Sequence, residues 1–395
     1  MRHRIVTLRL QTAGLAAVTA LGSLGAQQAP APSATVSGLL YPQFRYTTDA
    51  ATKAANGGNA TSAFDLERVY LTLQAPAGDR ASVRVTTDVF NNASGCTGCY
   101  GGWTVRIKYA WFHYDAWRNI GGHSGLDAAF RLGLLNTVVV GHEEGFWPRW
   151  ISRVGMERNG FFSSADMGAA AILTLPRAWG EVYGTVVNGG GYTQIESDPH
   201  KDWSVRLSLT PWGSADNWLK TFTISPWVYA GKSASKFLSA TGSAGTDAAN
   251  GLTKDRAGVF VGVRDRRFTS GFTLAQRTEA AETGSSLATR GTYDNTGTLT
   301  SAFALVRPAE LFSGDPKARS RWGLLARLDT FKPFSAGTSA GAQTTGAKNQ
   351  FLIAGLWWDL NQKASFSLDL QNLKPQGGST TTESRVLFLH GQISF

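Results

Sequence analysis

Beyond Ala34 the chain alternates between apolar and polar residues, the period of a strand with one apolar face. Sixteen stretches carry the pattern: 36–46, 68–75, 81–90, 104–114, 128–135, 167–175, 179–187, 203–211, 220–230, 257–265, 270–278, 300–308, 321–331, 351–360, 364–373 and 385–395. In ASVRVTTDVF, Val83, Val85 and Val89 oppose Ser82, Arg84, Thr86 and Asp88. In TVRIKYAWFHY, Val105, Ile107, Tyr109 and Trp111 oppose Thr104, Arg106 and Lys108. The last stretch, RVLFLHGQISF, alternates up to Phe395 and reads as a paired strand, since a loose tail would be polar.

The connectors are a separate signal. PAGD (76–79), PRA (176–178), WGSADN (212–217), RRFT (266–269) and NQK (361–363) are short, and most of the connectors between them in order are long, such as 231–256 and 281–299. Two, DAWRNIGGHSGLD and AELFSGDPKARS, are longer than this parity predicts. An even number of strands, short turns at one end and long loops at the other predict an all-β, 16-stranded antiparallel transmembrane β-barrel. A soluble sandwich or propeller would also alternate, but would not sort its connectors by length. No run of apolar residues after the N-terminus is long enough for a membrane helix, which leaves strands untouched.

In such a barrel a charge facing lipid at mid-bilayer costs about 2–4 kcal/mol, so the apolar set faces out. The inward set then holds eleven basic residues: Arg45, Arg68, Arg84, Arg106, Lys108, Arg131, Arg206, Arg264, Arg277, Arg307 and Arg327. Five acids join them: Asp88, Glu181, Asp329, Asp359 and Asp369. A net-positive wall in a confined space raises the local concentration of anions. Trp212, Trp218, Tyr229 and Trp358, near strand ends, suit interfacial girdles.

Composition fits this reading. Glycine (45) and tryptophan (13) are abundant among 395 residues, as suits strands and turns rather than helices. The N-terminus is basic, then apolar, then small, the order of a signal peptide over residues 1–26. The barrel domain would then be 27–395. The formal charge is +10, and removing Arg2, Arg4 and Arg9 with the signal leaves +7. Nothing resembles a nucleic-acid module. Cys96 and Cys99 lie in GCTGCY with no second pair. Redox chemistry or half a zinc site is open to them, but an exported chain favours a small loop disulfide.

The stretch after the fifth strand, 136–168, breaks the alternation. It contains His142, Glu143, Glu144, Trp147, Arg149, Trp150, Arg153, Glu157, Arg158 and Asp166. It is too long for a turn and too aromatic for disorder, so it is expected to pack on itself or fold into the bore as a constriction loop. HEE is no zinc-hydrolase motif, because Phe146 stands four residues after His142. The plain expectation is that Glu143, Glu144 and Glu157 pair with Arg149, Arg153 and Arg158.

SAFDLERVYLTLQAPAGDRASVRVTTDV (62–89) resembles the early hairpin of the phosphate-selective porin O and P family. FRLGLLNT with the following EE…R…ER…G segment resembles that family's strand five and constriction loop. GTVVNGGGY (184–192), KDWSVRLSLTPW and the terminal Phe395 are similar too, so the likeness spans nearly the whole chain after the signal. It implies a homotrimeric outer-membrane porin passing small anions, without cofactor or covalent chemistry. Family lysines that bind phosphate at the constriction have no counterpart between Thr137 and Asp166, where Arg149, Arg153 and Arg158 stand instead. A general non-selective porin therefore stays open, as do a barrel enzyme and an adhesin scaffold.

Overall fold

The computed structural model describes residues 33–92, 102–194, 196, 198–235, 251–285, 289, 291–315, 317–336 and 346–395. The signal peptide and the Cys96–Cys99 pair lie outside the described residues.

Sixteen strands form the wall. In chain order they are β1 (Thr35–Thr47), β2 (Thr61–Pro76), β3 (Ala81–Asn92), β4 (Gly102–Trp117), β5 (Asp127–Asn136), β6 (Ala165–Leu175), β7 (Gly180–Val187) and β8 (Asp202–Leu209). Then come β9 (Thr223–Ala230), β10 (Leu252–Arg264), β11 (Phe268–Thr283), β12 (Gly291–Val306), β13 (Trp322–Ala336), β14 (Lys348–Asp359), β15 (Ala364–Gln376) and β16 (Ser384–Ser394). Lys232–Ser233 continues β9 beyond Gly231, since it pairs with β10 in the register already set by Tyr229 and Arg256. Each strand pairs antiparallel with its chain neighbours, and β1 pairs with β16, so the sheet is a closed barrel with no free edge. At the seam the Gly38 and Phe395 amides each donate to the other's carbonyl, at 2.9 and 3.1 Å. The Phe395 ring lies where a side chain on Gly38 would stand, 2.2 Å from the position of a Cβ.

All sixteen expected strands are present. Several run farther than expected at the long-connector end: β2 begins at Thr61, β10 at Leu252, β12 at Gly291, and β13 reaches Ala336. Their polar extensions dilute the alternation, so hydropathy alone stops short. The β8–β9 connector is a correction. It spans 210–222 with a 3-10 turn at Trp218–Thr221, not the short WGSADN turn expected.

The apolar face is the outer one. Leu71, Leu274, Leu328, Leu352 and Leu389 are exposed, whereas Thr86, Asp88, Arg206, Ser225, Thr273, Asp329 and Asp369 are buried. Bulges modify this rule. Thr86 opposes Tyr109 and Thr87 opposes Ile107, so Lys108 is an extra residue in β4. Beyond it the facing inverts: Tyr109 and Trp111 turn inward and are buried, correcting the outward assignment, while Phe112 turns out. Across from Pro42, which has no amide proton for the ladder, β2 bulges at Glu67. Tyr229 also faces inward, buried against Phe162, rather than joining a girdle.

Candidate functional site

The segment between β5 and β6 holds much of the hydrophobic core. Val138, Val139, Trp147, Ile151, Met156 and Phe161 are almost fully buried. Single helical turns at Val140–Glu143 and Gly155–Arg158 compact it, and the Trp147 indole donates to the Ser152 carbonyl at 2.9 Å. Phe303 packs on Trp147, and Phe260 on Phe146. Irregular backbone away from water needs partners for its carbonyls. Wall side chains supply them. Arg206 donates to the Val138 carbonyl and Arg256 to that of Phe161. Arg264 donates to Gly145 at 2.8 Å, Arg277 to Asn159 at 3.1 Å, Arg327 to Arg153 at 2.6 Å and Gln371 to Ile151 at 2.9 Å.

On the β2 side the segment is held by one of its own side chains. Arg149 is buried and pairs with Glu144 at 2.6 Å and with Glu157. Its Nε donates to the Tyr70 hydroxyl at 3.2 Å, which also accepts from Lys108 at 3.1 Å. Burial alone would raise the Glu157 carboxyl, but Arg149 beside it brings it below the usual range. The ion pairs expected within the segment are half present. Among the described residues Glu143 pairs with no cation but accepts from Thr273 at 2.9 Å, and burial pushes its carboxyl up to about 7. Arg153 and Arg158 make no ion pair among the described residues. The Arg158 guanidinium lies 3.4 Å from the Phe351 ring centroid.

The inward basic residues fall into two groups. Matched ones have acids: Arg68 and Arg106 share Asp88 at 3.1 and 2.9 Å, Arg206 pairs with Glu181, Arg277 with Glu279 at 3.7 Å, Arg327 with Asp329 at 2.6 Å and Arg307 with Asp359 at 2.5 Å. Arg45, Arg84, Arg131, Arg264 and Lys108 have no carboxylate within salt-bridge distance among the described residues. Arg84 lies over Tyr109, and Arg131 lies over Trp111 and donates to His113 Nδ1 at 3.2 Å. Aromatic faces hold these heads to the wall without neutralising them.

Two chambers adjoin the segment. One, of about 980 Å³, opens toward the short turns and is lined by Arg84, Arg131, Arg206 and Arg264 with Asp115 and Glu181. The other, of about 640 Å³, opens toward the long connectors and is lined by Arg45, Arg153 and Arg158 with Glu67, Asn349 and Gln371. Every expected site residue outside the cysteine pair except Arg106 therefore borders a chamber, lies in or touches the segment, or touches its Tyr70 anchor; Arg106 is held by Asp88, which stands opposite Tyr70 in the sheet. The sequence reading missed Tyr70, Glu67 and the pairs Arg256–Glu279 and Lys254–Asp202, at 2.6 and 2.5 Å. Lys254 and Arg256 continue the inward alternation of β10 upstream of the stretch first recognised, so that signal was available. Among the described residues no group of three His, Cys, Asp or Glu side chains is placed to hold a metal.

No protein-family model matches the chain, and no curated protein matches it. Solved structures do. An anion-selective porin from Comamonas acidovorans superposes with a TM-score of 0.60 at 12% identity, over 92% of this chain and 99% of that one. OmpF of Salmonella typhi, in complex with daunomycin, gives 0.60 at 10% identity over 92% and 98%. The trimer form of OmpT, an outer membrane protein of Vibrio cholerae, gives 0.58 at 9% identity over 92% and 100%. The fold is that of bacterial outer-membrane porins.

Proposed function

We propose that this chain is an outer-membrane porin through which small anions, phosphate-type oxyanions among them, diffuse down their gradient. One observation carries the reading. Arg84, Arg131 and Arg264 line the inner wall of a porin-fold barrel, beside a chamber of about 980 Å³, with no carboxylate in salt-bridge reach among the described residues. Guanidinium donors replace part of an oxyanion's hydration shell, and the confined wall focuses their field. The anion-selective solved structure with the same fold supports the same sign.

The segment 137–164 is the constriction in this proposal. Its contacts with β2, β8, β10, β11, β13 and β15 support a place across the bore. The anion path then follows Arg84, Arg131 and Arg264 on the short-turn side and Arg45, Arg153 and Arg158 on the other. Arg106, Arg206 and Arg327 sit along it, but their acids take up much of their charge. Residues 1–26 serve as the export signal, and the barrel assembles as a homotrimer in outer-membrane lipid. Cys96 and Cys99 form a loop disulfide, and no cofactor or catalysis is involved.

Reversal potential in a planar bilayer under a salt gradient tests this. An anion-favouring potential that weakens in the Arg84→Gln, Arg131→Gln, Arg264→Gln variant is expected. A cation-favouring potential, or no current, would overturn the proposal. A general non-selective porin is favoured by one observation, the matching of Arg68, Arg106, Arg206, Arg307 and Arg327 by acids. A potential near zero with normal conductance would select it.

A further inference from the structure

The outer face carries a cationic patch that the pore does not use. On β13 the outward series runs Leu328, Thr330, Lys332, and on β14 it runs Leu352, Gln350, Lys348. On β15 it runs Leu370, Asn372, Lys374, and on β16 Leu387, Arg385. Each series starts from a leucine 40–46% exposed on the outer face and ends in a cation toward the long connectors. The registers bring the cations together. Lys374 stands opposite Gln350, Lys348 opposite Gln376, and Asn372 opposite Arg385, so these three lie about one diagonal step apart, and Lys332 comes level with Lys348 just past the Phe331–Asn349 pair. A hydrogen bond of 2.9 Å between Gln376 and Gln350 ties the middle of the patch.

Among the described residues Glu383 is the one carboxylate within salt-bridge reach of the patch, 4.0 Å from Arg385. Lys332, Lys348 and Lys374 have none. Elsewhere on the outer face at this end stand Phe64, Trp103, Met167 and Trp203, and at the short-turn end Trp179, Trp212 and Trp322. Lys232, outward on the extension of β9, stands apart, while four outward cations share one sector, two to four residues beyond the exposed leucines. That is the height at which the apolar band gives way to headgroups.

We propose that the β13–β16 sector binds a phosphorylated lipid of the leaflet at the long-connector end. Its phosphates would sit among Lys332, Lys348, Lys374 and Arg385, and its acyl chains over Leu328, Leu352, Leu370 and Leu387. This rests on the membrane-spanning reading above but not on anion selectivity.

The test uses the purified protein in phosphatidylcholine nanodiscs containing lipid A with two phosphates, and counts retained lipid by native mass spectrometry. The natural chain should retain it at least about tenfold better than the Lys332→Gln, Lys348→Gln, Lys374→Gln, Arg385→Gln variant. The preference should vanish with dephosphorylated lipid A and persist in the Arg84→Gln, Arg131→Gln, Arg264→Gln variant. Equal retention of the two lipids by the natural chain would overturn the proposal, whether or not the quadruple variant folds. So would loss of retention in the inward-facing variant. An unchanged reversal potential in the quadruple variant keeps this outcome separate from that of the porin reading.

Discussion

The wall uses arginine in two ways. From β8 to β13, Arg206, Arg256, Arg264, Arg277 and Arg327 donate to backbone carbonyls of the segment between β5 and β6. From β3 to β5, Arg84 and Arg131 meet no such backbone, and they lie over aromatic rings beside the larger chamber. The residue type and inward facing are the same in both sectors. What differs is whether irregular backbone lies in reach. A carbonyl buried without a donor is costly, so an arginine that reaches one is held in place by it. An arginine free of that backbone is left to face the chamber, whereas Arg206 and Arg264 both hold the segment and line the larger chamber.

The comparison breaks most visibly on stability. Arg327 is 2% exposed, pairs with Asp329 at 2.6 Å, and donates to the Arg153 carbonyl. Arg327→Ala would leave Asp329 buried without its cation, a loss of about 3–5 kcal/mol. Arg131→Ala should stay within about 1 kcal/mol. Urea unfolding in detergent compares them, and equal losses would erase the distinction between the sectors. Next in size is Arg149→Met, which strands Glu144 and Glu157. The segment should become protease-sensitive and single-channel conductance should rise severalfold; an unchanged conductance would remove the segment from its proposed role as constriction. Third, Arg84→Gln with Arg131→Gln should shift reversal potential more than Arg256→Gln with Arg277→Gln. The opposite ranking would place the selective cations in the clamping sector.

Much of this was legible in the sequence because strand facing is a local property. Two-residue alternation placed Arg84, Arg131, Arg206, Arg264 and Arg327 on the inner wall before any contact was known. The alternation failed at Tyr109 and Trp111, because one extra residue, Lys108, inverts every position after it. Pro42 could have warned of the neighbouring irregularity at Glu67, since it cannot join the ladder. The two roles of arginine were not legible. They depend on where residues 137–164 lie relative to strands 68 to 174 positions away, and no periodicity encodes that. For the same reason Glu143 was expected to find an arginine, yet it meets Thr273.

The smallest effect concerns how the clamped side responds to acid. Glu143 is buried, and its carboxyl rises from 4.5 to about 7. His142 beside it contacts the Ser225 hydroxyl at 2.9 Å; burial, then the Arg206 cation, hold its imidazole down from 6.5 to about 3. The folded state thus keeps the Glu143 proton more tightly than the unfolded chain. Its contribution to stability is complete below pH 4.5 and fades as pH rises toward 7. The folded state gives up the His142 proton more readily. That contribution is complete above pH 6.5 and fades as pH falls toward 3. Between 4.5 and 6.5 the slopes oppose, so hydrogen-exchange protection of the Glu143, Glu144 and Trp147 amides, corrected for intrinsic rates, should change little. Glu143→Gln should leave protection that climbs from pH 3 to 6.5. His142→Gln should leave protection that declines from 4.5 to 7. If both variants stay flat, neither group titrates with the folding of the segment, and the wall clamps alone govern its stability.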